Sequence, residues 1–364
     1  MTRSLPWARL PLAVAFALWA TAAAAAGAGE PARIALLPVQ DRAGDSGAVR
    51  AVEEALARGL TAGHELVDRE RVRDALRRRR VRSVDDAPPE TLRELGRELG
   101  VERFVTAVVH LAEGEICPRL AVSARSYEAA TGELGWAGFE AGSGLDGRRL
   151  LGLGTIAELE PLAERLVARL VAELEAGDAG GAADGAARSL GPVAVVPLAG
   201  LAESDATRSA ETATEIVRAV LARRGVPMLS PNRVADTLRR QRVLAWGALD
   251  VPVREALAAA GGAVLVSGSV ETWETAGDGL EPEPVMAIAL RALDAGSGRI
   301  VWTDALERRG WDRQGLFRLG RVHDHGSLGE RMIERLVESM IEELSERQAA
   351  ERAAAAAPPR SPTP

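Results

Sequence analysis

Residues Arg125 to Trp136, RSYEAATGELGW, return as Arg291 to Trp302, RALDAGSGRIVW, and nothing else in the chain narrows its possible folds as much. The two stretches share Arg, an acidic residue, Ala, Gly and Trp at one common spacing. In each, apolar side chains alternate with others up to a cluster of small residues and then resume, the pattern of two strands around a tight turn. Glycine reaches positive φ without a Cβ penalty, so Thr131-Gly132 and Ser297-Gly298 supply the turns. Arg125 and Arg291 then open the hairpins, and Trp136 and Trp302 sit on the returning strands.

The duplication extends beyond the hairpins. Ile34-Ala35-Leu36-Leu37-Pro38-Val39 is a short apolar run typical of a buried strand, and Val193-Ala194-Val195-Val196-Pro197-Leu198 repeats it. Arg71, Val72, Asp74 and Leu76 recur as Arg233, Val234, Asp236 and Leu238, and Glu164-Arg165-Leu166-Val167 recurs as Glu334-Arg335-Leu336-Val337. Matches that keep their order over four separate places indicate tandem duplication.

Within the first copy, helix-period residues Val49, Val52, Ala55, Leu56 and Leu60 follow the opening strand. A short strand at Glu65–Val67, a helix capped by Asp68, a break at Pro88-Pro89 and a helix from Glu90 to Leu99 ending at Gly100 come next. A strand from Arg103 to Leu111 leads into the hairpin. A glycine-rich connection, Ala141 to Gly154, precedes an amphipathic helix from Ala157 to Glu175. The expected fold class is α/β: two tandem copies of a mixed-sheet domain with helices packed on the sheet. The copies occupy residues 33–176 and 191–346, joined by a flexible linker at 177–190 (GDAGGAADGAARSL) and followed by a disordered tail at 347–364.

Residues 1–28 combine Arg3 and Arg9 with an apolar run and small residues, the organisation of a cleaved signal peptide. No cysteine follows that run, so no lipid attachment is expected, and the mature chain is expected to be periplasmic without a membrane span. A net charge of −7 argues against a nucleic-acid partner. The chain contains no lysine, which removes a Walker-A lysine and a Schiff-base lysine together.

The remaining constellations are weak as chemistry. His323-Asp324-His325 has a metal-like H-x-H spacing, but no third ligand is close in sequence, and it falls in a polar connection. His64 and His110 are isolated. Gly142, Gly144 and Gly147 match a dinucleotide spacing but follow the last strand of the unit, so a flexible loop is expected there. Cys117 is the single cysteine, either a small buried apolar residue or a site of intermolecular pairing. No catalytic residue and no cofactor is expected.

Taken together, IALLPV, LRELGRELGVERFV (Leu92 to Val105) and RSYEAATGELGW resemble the amino-terminal domain of TolB and its relatives. AVVPL, AAAGGAVLVSGSV (Ala258 to Val270) and RALDAGSGRIVW are similar to the same group and to the related CsgG-like domains. That resemblance implies a non-enzymatic interaction scaffold in cell-envelope assembly or transport, acting through envelope proteins. The β-propeller of TolB is absent, so its partner binding is not implied. A small-ligand sensor using the interdomain cleft is the first alternative, and a metal-dependent enzyme on His323 and His325 the second.

Overall fold

A computed structural model describes residues 32–356 apart from 86, 115–116, 148–153, 179–186, 188, 203–205, 244–248, 278–282 and 313–320. The expected signal peptide and most of the expected linker therefore lie outside the described residues.

The first repeat runs β1 (Arg33–Leu36), β2 (Gln40–Asp41), α1 (Ser46–Thr61), β3 (Glu65–Leu66), α2 (Arg69–Arg78), α3 (Pro89–Leu99), β4 (Arg103–Glu113), β5 (Arg119–Glu128), β6 (Leu134–Ser143) and α4 (Leu159–Asp178). The second runs β7 (Val193–Val195), β8 (Ala199–Gly200), α5 (Ala206–Arg223), α6 (Pro231–Arg240), α7 (Val251–Ala259), β9 (Val264–Ala276), β10 (Glu283–Asp294), β11 (Ile300–Arg309) and α8 (His325–Ala356). Sheet order in the first is β3-β1-β4-β5-β6 with β2 beside β4; in the second it is β7-β9-β10-β11 with β8 beside β9. Met228 bridges to Val193 where β3 pairs with β1. Both sheets are mixed, parallel around β1 or β7 and antiparallel through the hairpin.

Local sequence accounts for these elements. From Ile34 onward β1 and the residue after it are apolar because both faces are covered: Ile34 and Leu36 belong to the core under α1 and α4, Ala35 and Leu37 to the core under α2 and α3. Asp45 caps α1 by accepting from Gly47 N at 2.8 Å and Ala48 N at 3.0 Å, and Asp68 caps α2 in the same way. The Pro88-Pro89 pair, expected to break the chain, instead starts α3. Pro89 occupies the first helical turn, where a missing N–H leaves no bond unmade. Gly100 ends α3 at φ 66°.

Other boundaries also differ from expectation. Residues 141–143 complete β6, so the glycine-rich stretch begins in the sheet. Residues 144–147 follow as a packed turn, since a Cβ on Gly144 would lie 2.0 Å from the Ile156 carbonyl oxygen; residues 148–153 of the expected loop lie outside the described residues. Helix α8 runs to Ala356, well into the tail expected to be disordered from 347. Alanine, glutamate, arginine and glutamine carry that last stretch by intrinsic propensity, with one side-chain bond, Arg352 Nη2 to Gln348 Oε1 at 3.3 Å. No helix among the described residues is long and apolar enough to cross a membrane.

The two hairpin turns are the same turn. Glu128 N bonds Glu133 O and Gly132 N bonds Glu128 O, as Asp294 N bonds Arg299 O and Gly298 N bonds Asp294 O. Gly132 and Gly298 have φ of 73° and 72°. Their surroundings differ. A Cβ on Gly132 would meet Pro89 backbone atoms at 2.4 to 2.9 Å, whereas one on Gly298 would meet the movable side chain of Arg254. Both alanine variants carry the positive-φ cost of about 1–2 kcal/mol, but only Gly132→Ala must also displace backbone. Gly132→Ala is therefore expected to lower the midpoint of urea unfolding clearly more than Gly298→Ala. Equal losses would show that Pro89 yields.

Candidate functional site

Helix α5 is where the two repeats meet. Every residue from Ala213 to Leu221 is buried, and Ser209, Ala210 and Thr212 are buried with them. A helix buried all round needs small side chains and internally satisfied hydroxyls. Thr212 and Thr214 donate to the carbonyls of Arg208 and Ala210, and Thr214 Oγ1 also accepts from Leu198 N at 3.0 Å. On one side α5 contacts β7, β8 and β9 of its own sheet, and on the other β5 and β6 of the first repeat. Leu111, Ala121, Phe139 and Ala141 thus share one core with Ile216, Val220, Met286 and Leu336. Gly326, at the start of α8, fits directly against Ala141 and Ala121.

Arg125, the first residue of the repeated motif, lies in this joint. Its side chain is 3% exposed. Nη2 donates to Asp85 Oδ2 at 2.7 Å, and Nε lies 3.4 Å from Glu215 Oε2 on α5. Arg218 donates to the other Glu215 oxygen at 2.5 Å, while Tyr127 donates to Asp85 Oδ1 at 2.6 Å. Burial alone would push the Arg125 guanidinium down, yet the facing carboxylates hold it above its ordinary value. Burial alone would raise Glu215, and Arg125 and Arg218 hold it below its ordinary value. Burial pushes His110 down to about 4, so it is neutral at pH 7; its Nε2 meets Ser123 Oγ at 2.8 Å. Arg125 Nε and Nη1 and His110 Nδ1 are buried and form no hydrogen bond.

Beside these groups lies a cavity of about 410 Å³. The first repeat contributes Arg42, Asp85, His110 and Arg125 to its wall, and the second contributes Glu211, Glu215, Arg218 and Arg239. Val108, Leu198, Ala210, Val234 and Leu238 make an apolar side. Each of the four arginines has a carboxylate partner: Arg42 pairs with Glu211, Arg125 with Asp85 and Glu215, Arg218 with Glu215, and Arg239 with Asp236 at 3.3 Å.

Another ionic joint lies between β6, α4, α5 and α8. Glu140 meets Arg169 at 3.1 Å, and Arg223 meets Glu330 at 2.7 Å and Glu173 at 3.8 Å. Burial pushes Glu140 up to about 7.

The other residues singled out by sequence have separate places. Arg291 occupies the register position of Arg125, opposite Ser267 as Arg125 is opposite Thr106, but it is half-buried and its Nε donates to Ser267 Oγ at 2.9 Å. The face beside it carries exposed Thr303, Ala305 and Glu307 where the first repeat has Ala137, Phe139 and Ala141. Trp302 is buried against α8, with Nε1 donating to Ser339 Oγ at 3.4 Å, and Trp136 packs on the core that includes α4. His325 does not lie in a polar connection; it begins α8, stacks on Trp273 with ring centroids 4.8 Å apart, and its Nε2 meets Glu274 O at 2.7 Å. His323 is half-buried just before it, and the two are not joined by further ligands: no group of three or more His, Cys, Asp or Glu placed to hold a metal occurs among the described residues. Cys117 is a free thiol of intermediate exposure.

Sequence reasoning passed over Asp85, Tyr127, His110, Glu215 and Arg218. No local signal set them apart: Arg208, Glu211, Glu215 and Arg218 on Ala206–Arg223 follow one another at helical spacing, the same kind of polar stripe that Arg50, Glu54 and Arg58 form on α1.

The architecture defines a two-repeat α/β protein joined through a shared core. Comparison with known proteins places it no more narrowly. No family model matches the chain, and no curated protein matches it; the resemblance to TolB- and CsgG-like domains thus has no family model behind it. Similar solved structures include a PelC dodecamer from Paraburkholderia phytofirmans, 22% identical over 42% of this chain and 86% of that one, with a TM-score of 0.27. Lipoprotein GNA1162 from Neisseria meningitidis is 16% identical over 40% and 99%, with a TM-score of 0.30. The LpoB C-terminal domain from Escherichia coli is 18% identical over 34% and 93%, with a TM-score of 0.24. At these values neither activity nor partner carries over.

Proposed function

We propose that this chain is a non-enzymatic binding protein of the cell envelope, and that it holds a small amphipathic acid in the cavity between its repeats. The observation that carries this reading is Arg125: a buried guanidinium beside a cavity, with Nη1 lacking an acceptor. A buried charged donor without an acceptor is costly, and an oxygen brought into the cavity removes that cost. A volume of about 410 Å³ lies in the range of small-ligand sites. The open Nη1 of Arg125 suits one carboxylate oxygen, and the Val108, Leu198 and Leu238 side suits an apolar remainder. The export signal and the TolB- and CsgG-like motifs of the sequence support placement in the envelope, where partner proteins are also expected.

Octanoate and octanamide provide the test. Octanoate is expected to raise the melting temperature, by about 2.7 kcal/mol of stability at 100 times its dissociation constant, and octanamide to do so far less. Ala235→Trp, which fills the cavity from a half-buried position on α6, is expected to abolish the response while leaving the fold intact. An octanoate effect that survives this substitution, or none in the unaltered protein, would sink the reading.

A further inference from the structure

β11 is the outer strand of its sheet, so among the described residues one row of its main-chain N–H and C=O groups has no strand beside it. A groove of about 400 Å³ runs between β11 and α8. Buried Val322, Leu328 and Met332 give it apolar lining. Four exposed arginines border it, Arg308 and Arg309 from β11 and Arg331 and Arg335 from α8. None of the four forms an ion pair with a described residue, although acids outnumber bases in this chain. The acids in the groove are engaged: Glu334 with Arg223, Glu338 with Arg224, and Asp312 with the Arg309 main-chain N–H.

The other repeat shows what this kind of position takes. Arg165 on α4 stands in the repeated Glu-Arg-Leu-Val where α8 has Arg335. Arg165 Nη2 donates to the main-chain oxygen of Ser143 at 3.1 Å, at the end of the edge strand β6, and lies 3.8 Å from the Asp146 carboxylate. The carbonyl that ends an edge strand and a carboxylate in the turn after it therefore engage Nη2 of that arginine, and among the described residues Arg335 has neither.

From this we infer that β11 receives an extended acidic segment of a partner protein as an additional strand, with its carboxylates on Arg331 and Arg335 and its alternate apolar side chains toward Met332 and Leu328. Strand addition draws affinity from main-chain bonds and specificity from alternate side chains, and guanidinium recognises carboxylate in planar, charge-assisted pairs. This surface is independent of the cavity between the repeats.

A fluorescein-labelled (Asp-Val)5 peptide tests the inference by anisotropy with the full chain. Binding is expected, weakening as salt rises. Arg331→Ser and Arg335→Ser, both at exposed positions, are each expected to weaken it about tenfold, the loss of one charge-assisted bond, with melting temperature unchanged. A peptide N-methylated at alternate residues keeps its carboxylates and is expected to lose binding. Ala235→Trp is expected to leave peptide binding as it was. Equal binding of the N-methylated peptide, or indifference to both arginine variants, would overturn strand addition. Binding to phosphatidylglycerol vesicles with none to the peptide would assign the arginines to a lipid surface instead.

Discussion

Arg125→Met is expected to destabilise the protein by about 3–5 kcal/mol at neutral pH, the loss found when one partner of a buried ion pair is removed. The substitution keeps the volume of the stem and deletes the cation shared by Asp85 and Glu215. Both carboxylates stay where they are, Glu215 with a side chain only 10% exposed. Glu215 retains Arg218 alone, and burial then acts on it with less opposition. The pH dependence follows from linkage. In the unaltered protein the Glu215 carboxyl is depressed, so its contribution is present above its unfolded value near 4 and is lost only as pH falls through the lower folded value. Without Arg125 the carboxyl titrates higher, and protonation relieves the buried charge. The deficit of Arg125→Met against the unaltered protein is thus expected to narrow as pH falls from about 7 to about 5. Urea unfolding at the two pH values reads this directly. A loss below about 1 kcal/mol at neutral pH, of the size of solvated surface pairs, would mean that water reaches the joint.

What the sequence disclosed of the fold, and what it withheld, separates along one physical line. Periodicity reports which face of an element is covered, so the leucine stripe of α4, the alternating hairpins and the caps at Asp68 and Gly100 were legible from local spacing. The in-register match of RSYEAATGELGW with RALDAGSGRIVW anticipated two equivalent turns, and their hydrogen bonds are equivalent. Periodicity does not report what does the covering. Arg125 and Arg291 are the same letter at the same register, but Arg125 meets Glu215 on a helix of the other repeat while Arg291 donates to Ser267 on the strand beside it. Asp85 and Glu215 approach Arg125 from segments 40 residues before and 90 after it, and no local pattern links those distances. His110 looked isolated for the same reason: Ser123 reaches it only across the β4–β5 ladder. His323 and His325 mislead in the other direction, since their spacing is that of a ligand pair while Trp273 and the Glu274 carbonyl, distant in sequence, hold the second of them.

The shared core has a mechanical consequence that an expected flexible linker would not suggest: the two repeats should unfold together. Phe139 from β6, fully buried, lies in the same core as Ile216 and Val220 of α5 and Leu336 of α8, so the first sheet supplies part of the packing of the second repeat. A joint of this kind couples the repeats as neighbouring units of a solenoid are coupled, through an interface term that adds to what each holds alone. The unaltered protein is expected to show one transition in urea, whether followed by far-UV circular dichroism or by tryptophan fluorescence. Phe139→Ala removes a ring from the interface and is expected to cost about 3–5 kcal/mol. Because the loss falls on the interface term, the transition is expected to broaden or split, the two probes ceasing to coincide. Leu166→Ala is the matched control. It removes a fully buried side chain from the core of the first repeat alone, where α4 meets its own sheet. A comparable loss there lowers the midpoint through one repeat's intrinsic stability and leaves the interface term intact, so the probes should continue to coincide. Two separated transitions in the unaltered protein would show that Phe139, Gly326 and α5 bring the sheets into contact without making them one cooperative body.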